Sequence, residues 1–278
     1  MDKLAGCFVY FLFCLLLAAP ATAASFADIE RLGSSVFRLV ASDGAGRTHS
    51  GSGVMIAQNT VVTNCHVVLR AHEIRVTVPS GRLRAQLIRA HIEHDLCLLS
   101  VPGLTGQVVT LGNTSRKHEG DSIVAVGFAK GADLTATRGH IEGLFTYKGA
   151  GRVVQGSASF SPGKSGGGLF DEQGTLIGIL TFKCLAGGPF HFAVPVEWVK
   201  ILMRDTSSLV STIAEKPFWK YTDQRQPIFL RAASLFAESD CEALDELASA
   251  WLAREPNNPD ALFMVKRAWR CTALKQGM

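Results

Sequence analysis

The chain is poor in charge. Only 19% of its residues are charged, the net charge is +4, and the lysines and arginines are scattered. No basic patch or stripe argues for nucleic acid. Heptads, fixed-period repeats and low-complexity tracts are missing, which excludes coiled-coil, solenoid and collagen-like architectures. Strands do not alternate with long amphipathic helices, so a doubly wound α/β sheet is excluded too. Tyrosine and tryptophan are scarce, at 3 and 4, whereas glycine is frequent at 27. That balance leans towards a turn-rich β protein. Apolar residues make up 47% of the 278, enough for a sizeable core in one large domain or two ordinary ones.

Past the N-terminus no segment is apolar enough to cross a bilayer. The N-terminus itself reads as an export signal: Lys3, then the apolar run 8–19, then Pro20-Ala21-Thr22-Ala23 with small residues at Ala21 and Ala23. The run is too short to span a membrane comfortably, and the pattern predicts cleavage after Ala23. Cys7 precedes the apolar run instead of following it, so lipidation there is not expected. Cleavage leaves Cys65, Cys97, Cys184, Cys241 and Cys271. Disulfides persist in an exported chain, and an odd count leaves one thiol without an intramolecular partner.

Short β-branched apolar runs broken by Gly, Asn, Ser and Pro fill residues 36–195. Strands are expected over 36–40, 52–57, 60–63, 73–78, 85–88, 96–101, 122–126, 135–145, 153–155, 175–182 and 191–194, as in a sandwich or barrel. Loops near 102–106 and 112–120 divide them into halves of similar length. After Pro195 the period becomes helical, with a helix expected over 196–210. A polar and aromatic linker follows over 216–227, then helices over 228–236, 241–254 and 259–274. Asn258 as N-cap and Pro259 at the first helical position mark the start of the last.

The chemistry lies in three segments: Thr63-Asn64-Cys65-His66, His94-Asp95-Leu96-Cys97 and Pro162-Gly163-Lys164-Ser165-Gly166-Gly167. Each has a plain structural reading: a stray histidine, a strand-capping aspartate, a flexible glycine loop. Together, in this order and spacing, they supply the parts of nucleophilic acyl transfer. A hydroxyl needs an adjacent base, imidazole titrates near working pH, a buried carboxylate fixes its tautomer, and glycine-flanked amides can hold an oxyanion. His66, Asp95 and Ser165, with the amides of Gly163 and Ser165, fill these roles.

Gly163-Lys164-Ser165-Gly166-Gly167 also satisfies the nucleophile elbow of α/β-hydrolases, but that fold needs the order Ser, acid, His. The only histidine after Ser165 is His191, and the surroundings are β-rich. A phosphate-binding loop fails because Ala158 stands where a glycine is required.

Gly51-Ser52-Gly53-Val54-Met55-Ile56 followed by Thr63-Asn64-Cys65-His66-Val67 resembles the HtrA/Deg branch of trypsin-like serine proteases. So do Asp95-Leu96-Cys97-Leu98-Leu99, the stretch from Gly120 to Gly127, the Ser165 segment and Phe192-Ala193-Val194-Pro195. The resemblance spans residues 36–200. It implies a mainly β fold of two six-stranded antiparallel β-barrels, chymotrypsin-like, with the triad in the cleft between them. It also implies endopeptidase activity through an acyl-enzyme, with no cofactor and no metal. His66 would be general base then acid, Asp95 its orienter and Ser165 the nucleophile, with Gly163, Lys164 and Ser165 as oxyanion donors. By the same resemblance, Ser159, Ser161, Thr181, Lys183 and His191 would wall the specificity pocket. Ser159 is not acidic, so small or medium apolar side chains are the expected preference.

Three features depart from that family. Lys164 stands where asparagine or aspartate usually precedes the nucleophile. Cys65 adjoins His66 and Cys97 lies two residues after Asp95 on the same strand face, so a Cys65–Cys97 disulfide is expected. The familiar PDZ domain is replaced by helices. Residues 241–270, with Leu247-Ala248, Trp251-Leu252-Ala253 and Pro256-Asn257-Asn258-Pro259, resemble a tetratricopeptide repeat, and an antiparallel hairpin turning near Pro256 brings Cys241 opposite Cys271 for a second disulfide. Cys184 is then the odd thiol.

The expected organisation is a signal peptide over 1–23, a protease domain over 24–215 and a linker with a tetratricopeptide-like region over 216–278. The expected activity is secreted or periplasmic hydrolysis of unfolded or extended polypeptides. The alternative is a latent protease fold that binds partners through its C-terminal helices. Neither reading involves nucleic acid or any membrane contact beyond the signal peptide.

Overall fold

The computed structural model describes residues 26–130, 133–183, 190–205, 210–211 and 216–275. The expected signal segment and its cleavage site lie outside these residues, as does Cys184. A short helix, α1 (Phe26–Gly33), precedes the strands. Its Asp28 is almost fully buried and pairs with Arg138 at 2.6 Å and Arg31 at 3.6 Å.

The first barrel comprises β1 (Val36–Ser42), β2 (Thr48–Ala57), β3 (Thr60–Asn64), β4 (Glu73–Val78), β5 (Gly81–His91) and β6 (Leu96–Ser100). They run in the order β5-β4-β1-β2-β3-β6, and antiparallel pairing of β5 with β6 closes the barrel. A one-turn helix, α2 (Cys65–Val68), follows β3 directly. The second barrel comprises β7 (Ser122–Ala129), β8 (Asp133–Thr146), β9 (Arg152–Gly156), β10 (Gly168–Asp171), β11 (Leu176–Lys183) and β12 (His191–Pro195), closed in the order β10-β11-β12-β9-β8-β7. All pairings within both barrels are antiparallel. Residues 101–121 connect the barrels. Two six-stranded antiparallel barrels and a few C-terminal helices are the chymotrypsin-like architecture.

Several elements differ from the sequence reading. β10 arises from Gly168–Asp171, within and just past the glycine-rich segment read as loop; all four residues are buried between β7 and β11. β5 runs eleven residues because exposed Arg82, Arg84 and Gln86 alternate with inward neighbours, which masks its apolar content. The helix expected over 196–210 ends early: α3 spans Val196–Arg204, and Asp205 turns extended at φ −68° and ψ 114°. Val210–Ser211 instead forms β13, parallel to β5 at Ala90 and His91.

Beyond α3 lie a 3-10 turn at Phe218–Lys220, α4 (Ile228–Ala237), α5 (Cys241–Arg254) and α6 (Pro259–Lys275). Asp240 caps α5 through its side chain, and Asn258 accepts from the amides of Asp260 and Ala261 at the start of α6. These helices share one continuous core with the second barrel. Phe229 stacks on Phe145 at 4.9 Å, Leu230, Leu244, Trp251 and Met264 are buried in the same cluster, and buried Asp260 accepts from the Thr146 amide at 2.6 Å. Arg267 donates to Gln155 at 2.9 Å and lies over the rings of Phe190, Phe236 and Phe263. Cys241 and Cys271 are disulfide-bonded across the α5–α6 hairpin, with Cα atoms 5.5 Å apart.

Candidate active site

His66 and Asp95 are fixed by the first barrel. β3 delivers Asn64 into α2, and the backbone just before β6 presents Asp95 with φ +58°, a left-handed conformation that aspartate tolerates better than most residues. The side chain of Asp95 is fully buried. Its Oδ1 accepts from the His66 amide at 2.8 Å, and its Oδ2 lies 2.6 Å from His66 Nδ1 and 3.1 Å from Trp219 Nε1. Its carbonyl accepts from the Cys65 amide and the Asn64 side chain, each at 3.1 Å. The Cys65–Cys97 disulfide, with Cα atoms 4.9 Å apart, ties the turn of His66 to the strand beside Asp95.

The second barrel supplies Ser165 on the loop between β9 and β10. Ser52 of β2 clasps that loop: its amide donates to the Ser165 carbonyl at 2.8 Å and its hydroxyl to the Gly163 carbonyl at 2.9 Å. Gly166 has φ +85°, and a Cβ there would sit 2.1 Å from the Ser52 carbonyl, so only glycine permits this approach. Sequence reasoning gave Ser52 no role; its position across the interbarrel junction becomes visible only in the folded chain.

Gly163 has φ +95° and closes a tight turn in which the Lys164 amide donates to the Ser161 carbonyl at 3.1 Å. The Pro162 carbonyl accepts from the Lys130 amide at 2.7 Å. Peptide planarity then sends the Gly163 N–H the opposite way. The amides of Gly163 and Ser165 have no hydrogen-bond partner among the described residues. Lys164, expected among the oxyanion donors, is not available: its amide closes the turn, and its Nζ is turned inward to Thr137 Oγ1 at 3.0 Å. Burial lowers the Lys164 ammonium to about 8.

A cleft of about 720 Å³ is lined by His66 and Ser165 together with Phe160, Ser161, Pro162, Thr181, Phe182 and Lys183. Ser165 Oγ makes no hydrogen bond to His66. Ser161, Thr181 and Lys183, three of the residues expected to wall a specificity pocket, line this cleft. Ser159 and His191 do not line the cleft. Ser159 is exposed, and His191 Nδ1 lies 3.4 Å from the Phe160 amide, its ring 4.7 Å from that of Phe160. Burial, then the charges of Lys183 and Lys164, keep the His191 imidazole below its ordinary value. Phe160 occupies the wall instead.

The opposite wall comes from the segment read as a linker and from α4. Trp219, Lys220, Thr222, Gln226 and Leu230 face the cleft. The signal that could have found them is Pro217-Phe218-Trp219, an aromatic pair in an otherwise polar stretch.

The fold is thus chymotrypsin-like. Residues 51–179 match the family model of the trypsin-like peptidase domain. The chain is 34% identical over 164 residues to the periplasmic pH-dependent serine endoprotease DegQ of Escherichia coli, covering 55% of this chain and 36% of that protein. It is 32% identical over 159 residues to a probable periplasmic DegP-like serine endoprotease of Halomonas elongata, covering 54% and 34%. Among solved structures, the HtrA-type protease AlgW with tripeptide is similar at 30% identity and TM-score 0.58, over 65% of this chain and 62% of that one. The serine endoprotease from Yersinia pestis is similar at 27% and 0.56, over 66% of each. The chain spans about a third of the length of the curated relatives it matches.

Proposed function

We propose that the chain is an exported serine endopeptidase that hydrolyses unfolded or extended polypeptides in the periplasm. The observation that carries this reading is the buried Asp95 carboxylate on Nδ1 of His66, which lines one cleft together with Ser165. His66 Nε2 takes the Ser165 proton as Oγ attacks the scissile carbonyl. The tetrahedral oxyanion is held by the N–H groups of Gly163 and Ser165, a contribution of roughly 10²–10³ in rate per donor. His66 then protonates the leaving amine, and water, activated by the same imidazole, releases the acyl group. The localisation rests on the apolar N-terminal run and on the periplasmic relatives. The open, largely apolar cleft suits an extended chain better than a compact surface loop.

In the same reading the α4–α6 region is a tetratricopeptide-like brace, docked on the second barrel because so few helices cannot bury their own apolar faces. A second reading, a latent protease fold that serves as a binding protein, draws on the absent Ser165–His66 hydrogen bond and on the helical wall of the cleft. Hydrolysis of a denatured polypeptide by the full mature chain separates the two. Ser165→Ala should lower turnover by on the order of 10⁶ with the fold intact; equal turnover by both proteins would exclude Ser165 as the nucleophile.

A further inference from the structure

Asp95 Oδ2 is shared by two donors, and they come from opposite ends of the fold. One is His66 Nδ1, from the first barrel. The other is Trp219 Nε1, 124 residues further along the chain and beyond both barrels. Trp219 is half-buried at the cleft wall and packs against two rings. Its ring lies flat on Phe182 at 5.2 Å and meets the edge of the His66 imidazole at 5.6 Å and 81°. Its neighbour Phe218 is fully buried, stacks on Tyr147 at 4.5 Å, and donates its amide to the carbonyl of Glu93, two residues before Asp95. On the second barrel, Thr181 Oγ1 donates to the Ile179 carbonyl and accepts from Asn64 Nδ2, and it makes no hydrogen bond to the carboxylate.

We propose that Trp219 is a positioning residue of the triad: its indole N–H and ring hold the Asp95 carboxylate and the His66 imidazole in register, so the segment after the second barrel completes the active site. This rests on the protease reading of Ser165. A hydrogen bond to a buried carboxylate is charge-assisted and among the stronger kinds. Without it Oδ2 carries more unshared charge, and the group that orients the imidazole loses a partner. The other charged groups lining the cleft are Lys183, Lys220 and Glu238, which the variants below leave in place.

Trp219→Phe keeps an aromatic ring on Phe182 and removes only the donor. With a fluorophosphonate probe, the labelling rate of W219F should fall about tenfold relative to the natural chain, and the acid limb of its pH profile should move upward, because a less-shared carboxylate favours the imidazolium. A rate within twofold and an unmoved limb would overturn the proposal. Two proton resonances give a readout that needs no activity. In W219F the His66 Nδ1 proton should shift, and in Asp95→Asn the Trp219 indole N–H should shift while those of Trp198, Trp251 and Trp269 stay. Unshifted resonances would overturn the proposal even if W219F failed to fold, since the second comparison leaves Trp219 in place. Failure of the natural chain to label would instead count against the protease reading, and the resonances would still decide the role of Trp219.

Discussion

At the scale of single residues, the site is built from groups that the rest of the chain forces into place. Lys164 shows the cost of such an arrangement. Its ammonium is buried with one hydroxyl partner and titrates near 8, against 10.5 for a free lysine. Between those values the unfolded chain binds the proton more readily than the folded one, so stability rises with pH there, and the full penalty stands below about 8. Lys164→Met should therefore raise Tm at pH 7, and the gain should shrink as pH climbs towards 10.5. A Tm difference independent of pH across that range would contradict the account. His66, Asp95 and Ser165 stood out in the sequence as candidates because their types, order and glycine neighbours are chemically restrictive. Trp219 and Ser52 did not. A hydrogen bond between positions 95 and 219, or between 52 and 163, leaves no mark on local spacing. The inward turn of Lys164 was hidden for the same reason, since Thr137 lies on another strand.

At the scale of elements, the turn before β6 couples Asp95 to a stack of rings. His94, next to Asp95, lies between His91 at 3.9 Å and Trp198 of α3 at 3.8 Å, all nearly parallel. Burial, reinforced by the charge of His91, lowers His94 to about 3, and burial lowers His91 as well. Both imidazoles are therefore held neutral in the fold and charge more readily when it opens. Stability conferred by this stack is present above pH 6.5 and is lost progressively as pH falls from there towards 3. Other groups face the stack: Glu93, hydrogen-bonded to Tyr147 and Lys148, and Asp205 after α3. His94→Phe keeps the stacking and should flatten the fall in Tm between pH 6 and 4; an unchanged slope would show that other groups govern acid stability. The sequence located the strands and most helices because period-2 alternation and capping signals are local. It missed β10 and truncated β5 because glycines and exposed arginines carry no apolar signal. It overran α3 because Val210, read as the end of the helix, pairs with β5 instead.

At the scale of the whole molecule, we propose that the protease region over 24–215 and the tail over 216–278 unfold as one unit, because the helices share a buried cluster with the second barrel. Trp198 of the barrel side and Trp251 of α5 belong to one buried cluster, which Phe145, Phe229 and Phe263 knit together. Chemical denaturation should thus show one transition, with fluorescence of the barrel-side and helical tryptophans changing together; two separated transitions would restore the two-domain view. Phe229→Ala removes the ring stacked on Phe145 and should cost about 3–5 kcal/mol, read as a lower denaturation midpoint for both tryptophans. The disulfides reinforce the same unit. Cys65–Cys97 closes a loop of 32 residues, for which chain entropy predicts about 3–4 kcal/mol of stabilisation, and it does so where His66 meets Asp95. Both pairings were legible in the sequence, from strand parity beside the triad and from the helical hairpin. The tail's role as a wall of the cleft was not, because packing of α4 on the second barrel is set by surface shape that no local pattern encodes.

The account stands on Ser165 being an activated nucleophile in the folded chain. The most direct test is labelling of the purified mature protein with a fluorophosphonate probe, beside Ser165→Ala and heat-denatured protein. Labelling of the folded natural chain that vanishes in both controls is the predicted result. A well-folded protein that does not label would contradict it and leave the triad latent, with the occupant of the helix-walled cleft as the next question.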